Sequence, residues 1–445
     1  MKLDTSRTVR VGFAFLSICA FWQLYDNVVP LILKFTFNIP DGPSGIVMSL
    51  DNILALFLLP LFGALSDQTH TRLGRRTPFI LGGTAAAVLL MNLLPIADNT
   101  HSFWLFIVAL ALLLVAMGTY RSPAVALMPD VTPKPLRSKG NAIINLMGTL
   151  GGIFTLVVTK FLVFDRVDGS SDYTYLFIAV AVLMVAAVVV LLLTVKEKKL
   201  AQETAVVNDA YDAAEAAKLP PEERRAEEEA SRKAKAGLRS LSPEVRKSLM
   251  LILFSVFFWF MGYNAVTTVF TKYVIVQWGY DLSTASNFLM IATSAAMLCY
   301  IPVGMLSSRF GRKRMIQFGV ILLALSFAVL ALFNKFSPLL YGLFALVGVA
   351  WATINVNSYP MVVEISKSGD VGQYTGYYYT FSMAAQIVTP ILSGYLIQYL
   401  GYRVLAPYAA LMVAISFITI SLTRHGDARP EAPKSALEAY DAGDD

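Results

Sequence analysis

Charge is scarce in this sequence. Of its 445 residues only 15% are Asp, Glu, Lys or Arg, against 56% hydrophobic, and the mean hydropathy is +0.61. A soluble chain of this length would carry about a quarter charged residues, so a soluble multidomain protein is excluded. Cysteine is rarer still. Cys19 and Cys299 lie far apart in apolar stretches, which leaves neither a disulfide framework nor a metal cluster. The only histidines, His70, His101 and His425, fall in loops or the tail. His-Glu-x-x-His, Gly-x-Ser-x-Gly and Gly-x-x-x-x-Gly-Lys-Ser/Thr are all missing, so no metallohydrolase, serine hydrolase or nucleotide-hydrolysing site is indicated. No enzymatic activity, cofactor or metal is expected. The alternating polarity of a transmembrane barrel is absent too.

What the sequence has in abundance is apolar helix. Residues 177–193, FIAVAVLMVAAVVVLLL, are apolar on every face. Twelve spans of about 20 such residues use roughly 240 positions, which leaves short connections and one longer polar segment. Hydropathy and helix breakers predict spans near 10–36, 43–66, 77–95, 102–128, 138–163 and 173–195, then 247–276, 282–308, 313–333, 338–362, 372–399 and 402–423. The expected fold class is all-α, a polytopic membrane protein. Lys2, Arg7 and Arg10 precede the first run as in a secretory signal, but Gln23, Asp26 and Asn27 interrupt it and no cleavage site follows. It is read as the first transmembrane helix. Residues 196–246 are dense in Lys, Glu, Arg and Ala and contain Pro220 and Pro221, too polar to form a core. The organisation expected is a six-helix bundle over 1–195, a charged linker over 196–246, a second bundle over 247–424 and a tail over 425–445.

The formal charge of +6 resides largely in short loops. Arg72, Arg75 and Arg76 occupy one, Lys134, Arg137 and Lys139 a second, and Arg309, Arg312, Lys313 and Arg314 a third. All three fall on one side. Intervening loops are acidic or nearly neutral, as at Asp165, Arg166, Asp168 and Asp172, so the basic side is expected to be cytoplasmic, with both termini. The basic charge thus has a topological origin, and no nucleic-acid partner is expected.

The two sets of spans match one another at a shift of about 237 residues. FWQLYDN at 21–27 faces FWFMGYN at 258–264, which pairs Trp22 with Trp259 and Asn27 with Asn264. Pro123 matches Pro360, and TRLGRR at 71–76 matches SRFGRK at 308–313. A parallel repeat of six helices is a known transporter architecture, with substrate bound near the midplane between the halves.

The segment GALSDQTHTRLGRRTPF, residues 63–79, resembles the loop signature of the major facilitator superfamily. Its spacing, together with YRSPAVALMPDVTPKPLRSKGNAIINLMG at 120–148, is similar to the sucrose-transporter branch: plant sucrose carriers and their animal and bacterial relatives. The resemblance covers the chain apart from the linker and tail. Gly63, Asp67, Arg72, Gly74, Arg75 and Arg76 are the expected cytoplasmic gate, in which Asp67 pairs with an arginine or accepts from a helix N-terminus. Their competing role is to fix topology alone. Ser308 replaces the acidic residue in the second half, so a second latch must be weaker or differently built. Asp130 and Glu364, near cytoplasmic helix ends, are read as cap or gate residues.

Gln23, Asp26, Asn27 and Pro30 place a polar stripe on one face of the first helix. An Asp at mid-span costs roughly 2.5 to 3.5 kcal/mol on insertion scales, so it requires a partner, a watery cavity or a proton. Alternation between desolvated and cation-paired surroundings is what a proton-coupling carboxylate needs, and Asp26 is the first choice. The resemblance implies a coupling role for Arg121, which must find an anion or polar ligand when buried, either Asp26 or Asp51. A neutral polyhydroxylated ligand calls for amides and aromatic faces. Gln23, Asn27, Trp22, Asn145, Asn264, Trp259, Asn355, Asn357 and Gln386 are the expected substrate-binding residues.

The expected function is secondary active transport, proton-coupled symport of a sugar, with a disaccharide such as sucrose or maltose as substrate. The expected partners are the sugar, a proton and the bilayer of a bacterial inner membrane, with the chain acting as a monomer. A proton-coupled exporter of drugs or amphiphiles and a sodium-coupled glycoside carrier, using Asp26 with Asp51, are the alternatives.

Overall fold

The computed structural model describes residues 3–165, 171–218, 242–365 and 371–425. Among these, twelve helices are long and apolar enough to cross a bilayer. The first six spans are Thr5–Thr36, Asp41–Gln68, Thr77–Asn99, Phe103–Val131, Lys139–Leu162 and Thr174–Thr194. The second six are Pro243–Trp278, Leu282–Phe310, Arg312–Leu330, Leu339–Val363, Gln373–Leu400 and Tyr402–Ser421. They form two bundles that repeat one packing plan: the first span lies on the fifth and sixth as the seventh lies on the eleventh and twelfth. Likewise the fourth packs on the second and third, and the tenth on the eighth and ninth. Each bundle has its own apolar core, one around Phe21, Phe106 and Phe177 and the other around Trp259, Phe270 and Phe344. The bundles meet through the second and eleventh spans and through the fifth and eighth.

Local chemistry sets the helix ends. Asp4 caps the first span by accepting from the Arg7 backbone N–H at 3.0 Å, and Ser242 with Pro243 opens the seventh. Gly279 closes the seventh in the left-handed region at φ 71°. Pro30 lies near the end of the first helix, which finishes in a π-helical turn, Ile32–Thr36, carrying Lys34. Between the fifth and sixth spans Phe164–Asp165 and Ser171–Asp172 pair as a short antiparallel ribbon.

The segment after the sixth span, read as a charged linker, begins with a helix, Glu197–Lys218, at the end of the molecule that carries the basic loops. Leu200 packs on the first core and Asn208 Oδ1 accepts from the Lys134 backbone N–H at 2.8 Å. Arg166, Asp168, Pro220, Pro221 and residues 426–445 of the tail lie outside the described residues.

Candidate functional site: a charged cluster and its gates

Trp22, Asp26 and Pro30 succeed one another at intervals of four and therefore share one face of the first span. Pro30 lines a narrow cleft between the bundles together with Thr268 and Lys272 of the seventh span. Asp26 and Trp22 continue the same stripe along the span, half-buried. Asp26 is half-buried and has no hydrogen bond or ion pair among the described residues. It lies within electrostatic range of Asp51, and Asp51 within range of Arg121. Asp51 also accepts from Asn52 Nδ2 at 2.9 Å. The Arg121 guanidinium stands 5.5 Å from the Trp22 ring centre, a cation–π contact. First, second and fourth spans thus bring together two carboxylates and one permanent cation.

On the facing bundle Tyr263, Thr267 and Thr271 form the corresponding stripe, and Thr271 Oγ1 donates to Asn27 Oδ1 across the interface at 2.8 Å. Tyr263 is stacked on Trp351 of the tenth span with ring centres 3.7 Å apart and planes 7° from parallel. Phe260 meets the same Trp351 edge-on. Several buried polar atoms on the first, seventh and tenth spans lack partners among the described residues: Trp22 Nε1, Tyr25 Oη, Asn264 Nδ2 and Asn357 Oδ1. Such atoms are costly to leave unmade, and a polyhydroxylated ligand supplies what they lack.

The expected ligand residues divide. Trp22 and Gln23 are half-buried on the first span, Asn145 is buried on the fifth, and Asn264 and Asn355 are half-buried in the second bundle. Gln386 donates to the Ser382 carbonyl at 3.4 Å, and Asn357 to the Thr353 carbonyl at 2.9 Å. Asn27 is spent differently from the expectation: its amide accepts from Thr271 and donates to the Gln23 carbonyl at 2.7 Å, so in this conformation it ties the bundles together. Trp259 is fully buried, with 0% exposure, inside the second core, where its ring packs rather than faces a ligand. The sequence repeat equates Trp22 and Trp259, yet their surroundings differ.

At the end opposite the basic loops the bundles are joined by a buried ionic knot that sequence reasoning missed. Asp41, at the start of the second span, accepts from Lys34 Nζ at 2.6 Å, from Lys272 Nζ at 3.1 Å and from Tyr402 Oη at 2.8 Å. Lys34 belongs to the same bundle as Asp41, while Lys272 and Tyr402 belong to the other. Gln398 Oε1 accepts from the Gly42 backbone N–H at 3.0 Å. Close approach of the second and eleventh spans requires glycine: a Cβ on Gly45 would sit 2.0 Å from the Pro390 carbonyl oxygen. A basic residue near each end of an apolar run was the available signal, but it is also what topology alone produces.

At the basic end the latch is denser than expected. Arg75 binds Asp130 through Nε at 3.0 Å and Nη2 at 2.5 Å, and Arg76 Nε reaches Asp130 at 2.8 Å. Arg76 also donates to Asp67, to Ser66 and to the Gly63 carbonyl. The bond to Asp130 raises the Arg75 guanidinium further above its ordinary value, so it stays charged. Glu197, from the linker helix, closes the assembly. Its carboxylate accepts the backbone N–H groups of Arg75, Arg76 and Thr77 at 2.7 to 2.8 Å and the Thr77 hydroxyl at 2.6 Å. Gly74, at φ 123°, makes room, since a Cβ there would lie 2.3 Å from that carboxylate. Arg72 is exposed and joins no ion pair among the described residues, so it lies outside the latch.

The second half is built differently, as the loss of its acidic residue requires. Arg312 pairs with Glu364, and Lys313 donates to the carbonyls of Ser421 at 3.1 Å and Thr423 at 2.7 Å. Carbonyls at the end of the twelfth span accept there from a lysine side chain, whereas Glu197 after the sixth accepts backbone N–H groups. Removing the Glu197 acceptor is therefore expected to destabilise the first half. Glu197→Gln should cost about 2 to 4 kcal/mol, because hydrogen bonds to a charged acceptor contribute about 1.5 to 3 kcal/mol each and do not add fully. Arg72→Gln should stay within about 0.5 kcal/mol. Thermal unfolding of the purified variants in detergent measures both, and equal midpoints would refute the assignment of the latch.

The sequence profile of the Major Facilitator Superfamily matches this chain over residues 11–300 and 276–442. Proton-associated sugar transporter A of Homo sapiens is 33% identical over 143 residues, and that of Mus musculus 34%. The aligned stretch is 29% of this chain and 19% of either relative, so it spans about a fifth of their length. Among solved structures, one of the proton dependent oligopeptide transporters superposes with a TM-score of 0.70 at 14% identity, covering 94% of this chain and 98% of that one. A nucleoside transporter superposes at 0.66 with 13% identity over 94% and 100%. At such identities the likeness is one of fold.

Proposed function

The chain belongs to the major facilitator superfamily, and from that premise we propose that it is a sugar:proton symporter, taking up a disaccharide such as sucrose or maltose by alternating access. The observation that carries the reading is the cluster of Asp26, Asp51 and Arg121 contributed by the first, second and fourth spans. Two carboxylates and one guanidinium leave one negative charge in excess, and one proton brings the cluster to neutrality. Asp51 is held by Asn52 and influenced by Arg121, whereas Asp26 lacks a hydrogen bond, so Asp26 is the proton site. Sugar hydroxyls complete the unpaired amide and indole groups, and the half-buried aromatic rings of Trp22 and of the Tyr263–Trp351 stack offer apolar faces to sugar C–H surfaces.

The positive-inside rule supports basic loops and both termini on the cytoplasmic side and the Asp41 knot outside, and the membrane of this proposal is a bacterial inner one. In this conformation the outer end is the closed one. The test is uptake of labelled disaccharide into proteoliposomes. Accumulation should follow an imposed inward proton gradient, collapse with a protonophore and be the same with or without sodium at fixed pH. Uptake that follows sodium instead would support the carrier that uses Asp26 with Asp51 as a cation site. Failure to accumulate any sugar, with extrusion of amphiphilic dyes, would support the exporter.

A further inference from the structure

A second charged site lies away from the transport path. At the basic end, where the first span begins and the sixth ends, a cleft of about 270 Å³ is lined by Arg7, Arg10, Lys196 and Lys199, with Asp4, Thr194, Leu200 and Glu203. Four cations face two carboxylates there. The acids are partly committed already: Asp4 accepts from the Arg7 backbone N–H as a helix cap, and Glu203 lies 3.8 Å from Lys199. Arg10 donates to the Ser6 hydroxyl at 2.9 Å, a neutral partner. The side chains of Arg7 and Lys196 meet no carboxylate among the described residues. A cleft with surplus positive charge calls for an anion.

The wall beside it says which anion. Val182, Val185, Val189 and Leu193 recur at intervals of three and four on the sixth span, all exposed, with Leu193 at 78%. This apolar track runs along the span and ends at Thr194, on the rim of the cleft. An acyl chain fits the track while a phosphate fits the cleft, and a free phosphate would use only the second. We propose that this is a binding site for an anionic phospholipid, with the headgroup phosphate held by Arg7, Arg10, Lys196 and Lys199 and one acyl chain lying along the sixth span. Lys196 and Lys199 flank Glu197 in the chain, so a bound headgroup also holds the start of the linker helix beside the latch. The inference is independent of which solute is carried.

The test uses the full chain purified in detergent, with phosphatidylglycerol, phosphatidylcholine of the same acyl composition and inorganic phosphate as separate probes. Phosphatidylglycerol should raise the thermal midpoint and be retained in native mass spectra, and the other two should not. The combined variant R7Q/R10Q/K196Q/K199Q should lose that rise while keeping its midpoint in detergent alone. Should it fail to fold, Lys196→Gln alone, at an exposed position, should weaken phosphatidylglycerol binding about five-fold, and Glu203→Gln should strengthen it. Equal retention by wild type and Lys196→Gln, or stabilisation by inorganic phosphate as large as by the lipid, overturns the proposal.

Discussion

For the proposed sugar:proton symporter, Asp26→Asn will abolish concentration of the sugar while leaving exchange of sugar for sugar across the membrane. The two activities separate because they need different things from the cluster. Exchange needs only a site that alternates while loaded. Net uptake needs the empty site to return, and it returns charged or neutral according to whether it has released its proton. With asparagine the excess carboxylate is gone, Asp51 and Arg121 balance one another, and the cluster is permanently neutral. Nothing then ties the membrane potential to the cycle. Each charge moved through 100 mV is worth about 2.3 kcal/mol, which corresponds to roughly a 40-fold concentration ratio. The variant should fall from that ratio to unity, while counterflow of labelled sugar stays within about two-fold of wild type. Proteoliposomes loaded with unlabelled sugar measure exchange, and an imposed potential measures accumulation. Retained accumulation would move the proton site elsewhere, and loss of both activities would make Asp26 a structural or sugar-binding residue. Asp51→Asn serves as the contrast. It removes the carboxylate within range of Arg121, so Asp26 becomes the one carboxylate of the cluster left to balance the guanidinium, its protonation strands that charge, and exchange should be impaired as well.

The fold was legible because bilayer physics is severe. Long apolar runs had one solution as helices, and breakers such as Gly279 and Gly311 end them. The half of the site that depends on cost was legible for the same reason: Asp26 in mid-span demands an explanation wherever it points. What the sequence concealed was pairing. Glu197 stands in a run of charged residues, where nothing marks one carboxylate as the acceptor of three backbone N–H groups. Its importance arises only when the sixth span ends beside the turn at Gly74. Lys272 and Asp41 were hidden in the opposite way, at helix ends where charge is ordinary. Trp259 shows the limit of the repeat. Homologous positions share a helix and a height, but exposure is set by neighbours, and Val413 and Ala409 of the twelfth span press on the seventh at Gly262.

The two halves are also braced unequally at the basic end. In the first half, Asp130 and Asp67 hold both arginines of the latch and Glu197 fixes its backbone, all within one bundle. That assembly makes the basic end of the first bundle a rigid unit. At the basic end of the second half, Arg312 pairs with Glu364 and Lys313 donates to carbonyls of Ser421 and Thr423 among the described residues. Bonds inside a bundle do not break when bundles rock, so these latches set the shape of the moving parts. The contacts that do break are those that cross, and among the described residues the charged one is Asp41 with Lys272.

Lys272→Met should shift the population towards the conformation open at the outer end. Asp41 is shared between a lysine of its own bundle and a lysine of the other, and only the second bond resists separation. When the outer end opens, Lys34 travels with Asp41 and keeps it paired, so the carboxylate never faces the cavity alone. Lys272 has no such companion: buried against Asp41 when closed, it gains water when open. Removing it takes away a cross-bundle attraction whose loss is softened by Lys34, which places the effect below the 3 to 5 kcal/mol of a fully stranded charge, at about 2 kcal/mol. That is roughly a 30-fold change in the ratio of open to closed. Ser44 lines the cleft beside the knot and is buried, so Ser44→Cys reports the opening once Cys19 and Cys299 are replaced by serine. A membrane-impermeant thiol reagent added from outside should label it about 30-fold faster when Lys272 is methionine. Lys34→Met must behave differently. It leaves Asp41 with Lys272 and Tyr402, both on the other bundle, so the cross-bundle bond becomes the only ionic one and labelling should slow. Equal acceleration by the two lysine variants would show that they contribute only general charge, and that the knot is not a gate.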